Sequence, residues 1–181
     1  MKFWLVRHAQ PLVEAGVCYG ASDILADEPA TAQAAQALAL ELPSDLKVMC
    51  SPLTRCTQLA NALQQLRPDL TWKPETRLAE MNFGHWEGQR WNDIPAAALA
   101  QWTTDFGPWR FGGVESVQDL MQRVSALWEE TRSTQVGTLW VTHAGVIRAA
   151  TLLSQGVQQV THARQWPQQA LPFGRAISLP M

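Results

Sequence analysis

Two histidines in this sequence each follow a short run of apolar residues. His8 ends the stretch FWLVRH, and His143 ends the stretch TLWVTH. Histidine, like arginine, can bind anions, since its ordinary pKa of about 6.5 lies close to neutral pH. Two arginines belong to the same pattern, since Arg7 precedes His8 and Arg55 follows a third apolar run, KVMC. Guanidinium groups bind phosphate oxygens in a fork, so these four side chains together favour phosphoryl chemistry.

Strand and helix signals alternate along the chain, which predicts an α/β fold, a three-layer αβα sandwich with a mostly parallel central sheet. Ser51 has the position of a helix N-cap with Pro52 at the first helical residue, and Ser116 and Asp119 have the spacing of a capping box. The predicted strands cover residues 2–6, 46–51, 138–142 and 175–179, and the predicted helices cover residues 28–42, 51–66 and 116–132.

This order of elements predicts that the four side chains meet at one edge of the sheet. Open parallel sheets bind ligands outside the carboxyl ends of their strands, and His8 and His143 both follow such an end. The sequence after His143 is helical in pattern, so we expect the N–H groups of Ala144 and Gly145 at a helix N-terminus, where anions bind. Arg55 is expected in the first turn of the helix that begins at residue 51. The sequence therefore predicts a pocket for a phosphoryl group.

Composition and charge narrow the class of protein. The 181 residues are 46% hydrophobic and 17% charged, which predicts one globular domain over residues 1–181. A formal charge of -2 gives no basic face for a nucleic acid. No apolar stretch is long enough for a signal or membrane helix, and three cysteines without a C-x-x-C pair predict neither disulfides nor a zinc site. We therefore expect a cytoplasmic protein without a membrane partner, and the sequence carries no signal for its oligomeric state.

Residues 84–113 stand out because they hold four of the nine tryptophans. Glycine and proline lie near both ends of this segment, and regular elements flank it. We expect an insertion that folds over the active-site end of the sheet. A tryptophan-rich patch that packs on the core is an equally good interpretation, because buried tryptophan more often serves packing than substrate binding.

Five motifs resemble those of the histidine phosphatase superfamily, the phosphoglycerate-mutase-like group. They are LVRHAQ, CSPLTRCTQLA, LAEMNFGHWEG, GGVES and WVTHAGVIR, which occur in the family's order and spacing from the first strand to about residue 150. The stretch GVCYGASD (16–23) is similar to the α-ribazole phosphatase branch, in which a CYG-x-x-D motif follows the first histidine. The resemblance implies a phosphatase that acts on a small phosphorylated substrate, without a metal or another cofactor.

The same resemblance implies a role for each motif residue. His8 would attack phosphorus and become a phosphohistidine, which water then hydrolyses. Arg7, Arg55 and His143 would hold the phosphoryl oxygens, next to the N–H of Ala144. The acid of the L-x-E motif, Glu80, would protonate the leaving oxygen and later deprotonate the attacking water.

Two points of this assignment have alternatives: the identity of the acid, and the residue that contacts phosphate after the first histidine. Glu87, in the WEG motif, competes with Glu80 for the role of the acid. The family often has R-H-G-E followed by an asparagine that contacts phosphate, whereas this chain has Ala9, Gln10 and Glu14. An acidic side chain at position 14 cannot bind phosphate in the same way, so the detail of the pocket differs from the family pattern.

Three other functions compete with a histidine phosphatase. Cysteine phosphatases have C-x5-R, but only four residues separate Cys50 from Arg55, so the match is incomplete. A metal hydrolase would use His8, His85, His143 and Glu80 or Glu87, yet no H-x-H or H-E-x-x-H spacing supports it. A phospho-ligand binding module without catalysis would not need an acid. Within the phosphatases, a broad small-molecule enzyme and a protein-phosphohistidine phosphatase both remain alternatives to an α-ribazole phosphatase.

Overall fold

A mixed sheet of five strands forms the centre of the fold, which a computed structural model describes for residues 2–180. The strands are β1 (Lys2–Arg7), β2 (Lys47–Cys50), β3 (Trp72–Pro74), β4 (Thr138–Thr142) and β5 (Ala176–Pro180). They lie in the order β3-β2-β4-β1-β5. The first four strands are parallel, and only β5 runs antiparallel, against β1. The prediction of an α/β fold with a mostly parallel sheet is therefore confirmed.

Helices cover both faces of the sheet, because neighbouring residues of each strand are buried on opposite faces. The helices are α1 (Glu28–Glu41), α2 (Thr54–Leu66), α3 (Ala96–Thr104), α4 (Val117–Thr134) and α5 (Ala144–Ser154). On one face, α1 and α2 pack against the side chains of Val6, Val48, Leu139 and Val141. On the other face, α4 and α5 pack against those of Phe3, Leu5, Met49 and Trp140. The result is the predicted three-layer arrangement.

The structure confirms one predicted helix start and corrects another. Ser116 and Asp119 form the capping box of α4, with both hydrogen bonds at 3.0 Å. The expectation that Ser51 caps α2 is wrong, because the helix begins at Thr54 after an extended Leu53. Asp23 instead caps this helix from a distant loop, accepting hydrogen bonds from the N–H and the hydroxyl of Thr54 at 2.6 and 2.7 Å.

The tryptophan-rich segment 84–113 contains α3 and two short 3-10 turns, Gly84–Trp86 and Trp91–Asp93. Ile94 and Phe111 of this segment form a small buried cluster with Cys18, which comes from the chain after β1. Further 3-10 turns, Thr76–Leu78 and Ala163–Gln165, complete the elements described between residues 2 and 180. In this part of the chain, no helix combines the length and the hydropathy needed to cross a bilayer.

The topology places several loop starts at one edge of the sheet. The strands β1, β2 and β4 are parallel neighbours, so the residues that follow their carboxyl ends lie side by side. In register, Arg7 pairs with Thr142 and Cys50 pairs with Val141. The residues after these strands build the site described next.

Candidate active site

His8 and His143 meet at the carboxyl edge of the sheet, as the strand pattern predicts. Their rings follow the adjacent strands β1 and β4, and the ring centroids lie 5.1 Å apart. His8 is only 2% exposed and His143 is fully buried. The pair therefore forms the floor of the site, held by two strand ends rather than by mobile loops.

One ring nitrogen of His8 is fixed by the backbone. The Nδ1 atom lies 2.7 Å from the carbonyl oxygen of Ala9, which can only accept, so Nδ1 carries the proton. Burial and the nearby charges of Arg55 and Arg7 lower the pKa of His8 to about 3, although its hydrogen bond to Ala9 opposes this shift. The ring is therefore neutral near pH 7, and Nε2 keeps its lone pair.

His143 differs from His8 because its ring contacts other side chains at Nε2. This atom lies 2.7 Å from the hydroxyl oxygen of Ser51 and 3.4 Å from the Cys56 sulfur. Burial lowers the pKa of His143 well below its ordinary value, and the charge of Arg55 lowers it further. The ring of His143 is thus neutral and held in one orientation.

Arg7 brings a positive charge to the edge of the site. Its Nη1 donates to the carbonyl oxygen of Leu171 at 2.7 Å, and the guanidinium lies 3.7 Å from the centroid of the Phe173 ring. Burial lowers the pKa of Arg7, while the nearby Tyr19 and Glu80 raise it in part. Its Nε is buried without an acceptor among residues 2–180. Arg7 therefore keeps unused donor capacity at the site.

Arg55 lies in the first turn of α2 and is completely buried. Its Nη1 and Nη2 donate to the carbonyl oxygens of Ser22 and Gly20 at 2.8 and 2.6 Å. The loop after Cys18 thereby holds the guanidinium in place, and the ring of Tyr19 lies 5.4 Å from its central carbon. The charge of Arg55 reaches both histidines, since it lowers the pKa of each.

Glu80 faces the same edge from the chain that follows the 3-10 turn at residues 76–78. Its two carboxylate oxygens accept from the N–H groups of Met81 and Gly145, each at 3.0 Å. A Cβ at position 145 would overlap the Glu80 carboxylate, so glycine here leaves that carboxylate its place. The N–H of Ala144, one residue earlier at the start of α5, has no acceptor among residues 2–180. One N–H of this helix start thus remains available for an anion.

Glu87, the competing acid, has no capacity left for a substrate. Its carboxylate accepts from the N–H groups of Ala21, Ser22 and Phe83 at 2.9, 2.7 and 3.0 Å, and from the Ser22 hydroxyl. Burial alone would raise the pKa of Glu87, but these hydrogen bonds lower it. Four bonds fill the acceptor sites of a carboxylate, so Glu87 serves to hold the loop at residues 21–22.

The side chains of the rival chemistries lie in unsuitable surroundings. Burial raises the pKa of the Cys50 thiol, and its sulfur donates to the carbonyl oxygen of Ser51, so a reactive thiolate is disfavoured. His85 is exposed and packs on Trp86, away from the two strand-end histidines. Within residues 2–180, no group of three histidine, cysteine or acidic side chains has the geometry of a metal site. Glu14 is exposed and pairs with Arg90.

Ser51 and Tyr19 are site residues that the sequence reasoning did not assign. Ser51 was expected to cap a helix, but its hydroxyl contacts His143. Tyr19 lies near both guanidinium groups: burial raises the pKa of its hydroxyl, and the charges of Arg7 and Arg55 lower it in part. Both residues occur in the quoted motifs CSPLTR and CYG, so their motif positions were the available signal.

Comparisons with known proteins address the family and the fold. The sequence profile of the histidine phosphatase superfamily (branch 1) matches residues 3–171. A search of curated proteins finds no significant match.

Solved structures share the fold over nearly the whole chain. The mycobacterial glucosyl-3-phosphoglycerate phosphatase is 23% identical with a TM-score of 0.81, and the match covers 98% of this chain and 88% of that one. Its complex with inorganic phosphate gives a TM-score of 0.80 at 23% identity, covering 99% and 89% of the two chains. The protein TTHB049 from Thermus thermophilus is 27% identical with a TM-score of 0.72, covering 98% and 92%.

Proposed function

We propose that this chain, which belongs to the histidine phosphatase superfamily over residues 3–171, is a metal-independent phosphomonoesterase. In the proposed reaction, the enzyme works through a phosphohistidine at His8. The observation that carries the proposal is the state of the His8 ring. Its Nδ1 proton is held by the Ala9 carbonyl and its pKa is lowered to about 3, so Nε2 is an unprotonated nucleophile. Membership of the family supports a phosphatase, and the free Nε2 supports the covalent step.

The surrounding charges suit a phosphoryl group. Arg7 and Arg55 supply two guanidinium groups, and Glu80 is the one carboxylate whose charge acts on Arg7. In the proposed mechanism these arginines, His143 and the N–H of Ala144 hold the phosphoryl oxygens. Such fixed donors stabilise the charge of the transition state without a metal ion.

The chemistry takes two steps. In the first, Nε2 of His8 forms a bond to phosphorus while the bond to the leaving oxygen breaks, and Glu80 gives that oxygen its proton. In the second, Glu80 takes a proton from water as the water oxygen attacks phosphorus and the N–P bond breaks. Glu80 suits both steps because it makes only two hydrogen bonds and lines the cavity beside the site.

For the substrate, α-ribazole 5'-phosphate is our first proposal, as a step in cobalamin assembly. It rests on the resemblance of GVCYGASD (16–23) to the α-ribazole phosphatase branch. Three side chains of this stretch also make structural contacts. Cys18 packs with Ile94 and Phe111, the Tyr19 ring lies near the Arg55 guanidinium, and Asp23 caps α2. A comparison of kcat/KM for this ester with those for sugar phosphates and phosphohistidine protein tests the substrate separately from the chemistry.

Phosphoenzyme trapping tests the mechanism. The protein is mixed with an aryl phosphate labelled at phosphorus, with a chelator present, and quenched rapidly without acid. We expect a label that is stable in base and labile in acid, present in wild type and in Cys50→Ser and absent in His8→Gln. Label that persists in His8→Gln but is lost in Cys50→Ser would move the nucleophile to the thiol, and loss of turnover with chelator would indicate a metal enzyme.

A second measurement covers an intermediate that breaks down too fast to accumulate. Wild-type protein is assayed with several phosphomonoesters in the presence of an added alcohol. A common phosphohistidine predicts the same ratio of phosphoryl transfer to hydrolysis for every substrate, because all of them pass through one intermediate. A ratio that changes with the leaving group would contradict a covalent intermediate.

A further inference from the structure

A cavity of about 340 Å³ opens beside Glu80 and Gly145, and His8 is not among the residues that line it. Its volume lies at the lower end of the range of small-ligand pockets, which is roughly 300–1,000 Å³. Glu80 therefore both takes part in the proposed chemistry and lines this cavity. The side chains that give the cavity its character are Phe83, Trp91, Trp102, Phe106, Arg148 and Trp166.

The aromatic rings that line the cavity stack on one another, and Trp102 also packs on Phe111, with 4.4 Å between the ring centroids. Trp102 and Trp91 are nearly parallel, with an angle of 11° between their planes. Phe106 stacks on Trp102 at 5.4 Å and meets Trp166 at 6.2 Å. These rings come from the tryptophan-rich segment and from the chain after α5, so two distant parts of the sequence build one aromatic wall. Such a wall is complementary to a planar apolar ring.

Arg148 is the one cation among the cavity's lining residues. It lies in α5, one helical turn after Gly145. Within residues 2–180 it makes a single hydrogen bond, from Nη2 to the carbonyl oxygen of Gln168 at 3.2 Å, and no carboxylate lies within ion-pair distance. Its Nε is buried without an acceptor. Burial lowers the pKa of Arg148 and the charge of Glu80 raises it in part, but the two side chains form no salt bridge. The spare donors of this half-buried guanidinium point to an acceptor supplied by the ligand.

We propose that this cavity is the leaving-group subsite of the phosphatase, and that it takes a planar apolar ring system whose oxygen substituent accepts hydrogen bonds from Arg148. The proposal rests on the proposed function, because Glu80 links the cavity to the reaction only as the general acid. An acid that protonates the leaving oxygen must touch it. Glu80 lines this cavity and a second one beside Ala21, and only the first has aromatic rings in its wall, so the proposal places the group attached to that oxygen there.

A matched set of esters tests the subsite with the full chain. The substrates are phenyl phosphate, 2-naphthyl phosphate and 6-carboxy-2-naphthyl phosphate, in which the carboxylate is too far from phosphorus to assist the reaction. Phenol and 2-naphthol are similarly acidic, so a difference in kcat/KM between the first two esters reports binding of the second ring. We expect wild type to prefer the naphthyl ester by about tenfold, and the carboxylate to add about tenfold more.

Two variants assign these preferences to residues. Arg148→Met removes the charge and keeps most of the volume, so it should abolish the advantage of the carboxylate and leave the naphthyl-to-phenyl ratio unchanged. Trp166→Leu should reduce the naphthyl-to-phenyl ratio instead. Arg132→Met and Trp109→Leu are the controls, because both residues are exposed and neither lines the cavity. Inhibition by inorganic phosphate should stay unchanged in all four variants, since it reports the phosphate site alone.

The outcomes separate a failed subsite from a failed function. Equal rates for the phenyl and naphthyl esters, or an equal loss on every ester in Arg148→Met, would overturn the subsite while the phosphatase stands. If no phosphomonoester is hydrolysed, the proposed function fails, and calorimetry with 6-hydroxy-2-naphthoate then decides the subsite alone. Binding that weakens by about tenfold in Arg148→Met would support it. An absence of binding to wild type would overturn it.

Discussion

His8 and His143 follow neighbouring strands in the same way, but the protein surrounds their rings differently. At His8 the backbone carbonyl of Ala9 occupies Nδ1, and Nε2 faces the site. At His143 the Ser51 hydroxyl and the Cys56 sulfur lie beside Nε2. Two glutamates of the site differ in a similar manner, since Glu80 accepts two hydrogen bonds and Glu87 accepts four.

This comparison separates side chains that form bonds or transfer protons in the proposed reaction from side chains that bind the phosphoryl group or hold the site in place. Residue type and position do not distinguish the members of either pair, because both histidines end strands and both glutamates lie near the same loops. The number of protein partners does distinguish them. A ring nitrogen or a carboxylate oxygen that the protein leaves without a partner is available to form a bond or to transfer a proton, whereas a group with protein partners binds or holds its surroundings.

Substitution of the two glutamates should show the largest difference. We expect Glu80→Gln to lower kcat for an alkyl phosphate by about 10²- to 10⁴-fold, because the leaving alkoxide loses its proton donor. Glu87→Gln should change kcat little and lower the free energy of unfolding by about 1–3 kcal/mol, since one backbone donor at the loop loses its acceptor. Rate assays and urea denaturation of both variants give the two quantities.

The leaving group provides the control for Glu80→Gln. An ester of a strongly acidic phenol, such as 2,4-dinitrophenyl phosphate, needs no proton on departure, so its loss of kcat in Glu80→Gln should be much smaller than that of the alkyl ester. An equal loss on both esters would mean that Glu80 acts through structure. A loss confined to the alkyl ester in Glu87→Gln would reverse the assignment of the two carboxylates.

Gly145→Ala should give a smaller effect on the same carboxylate. The new Cβ would overlap the end of the Glu80 side chain, which can move, whereas the α5 backbone need not. We expect kcat to fall by about 10- to 100-fold through misplacement of the acid, with unchanged or higher stability because alanine favours a helix over glycine. In the double variant with Glu80→Gln, Gly145→Ala should add no further loss, and an additive loss would contradict this explanation.

The sequence was sufficient to predict the edge at which these groups meet. Parallel strands end side by side, so the positions of His8, His143 and Arg55 followed from their places after three apolar runs. The capping box of α4 was equally local. These features depend on a few adjacent residues, which is why single-sequence patterns predict them.

The supporting contacts could not be predicted, because they join distant parts of the chain. Asp23 caps α2 in place of Ser51, and this leaves the serine hydroxyl near His143. The wall of the cavity combines Trp102 with Trp166, and no local pattern relates these two positions. The hydrogen bonds that separate Glu87 from Glu80 also come from a loop more than 60 residues away.

The last expected effect concerns the stability of the fold in acid, which depends on its two buried histidines. The folded pKa of His8 is about 3, below its ordinary value of about 6.5, so the folded ring excludes a proton that the unfolded chain binds. This contribution to stability is fully present above about pH 6.5 and is lost as the pH falls towards 3, by about 1.4 kcal/mol per pH unit. The pKa of His143 shifts in the same direction.

Urea denaturation as a function of pH measures this term. Below pH 6.5, the slope of stability against pH should be smaller in His8→Gln than in wild type by about 1.4 kcal/mol per pH unit. Gln101→Ala is the control and should keep the wild-type slope, because neither side chain titrates and residue 101 is exposed. If His8→Gln also keeps that slope, His8 binds a proton equally well in the folded and the unfolded protein. Its Nε2 is then not kept unprotonated by the fold, and the proposed state of the nucleophile is wrong. The acid sensitivity of the fold and the readiness of His8 have one cause, the exclusion of a proton by burial and by two arginines.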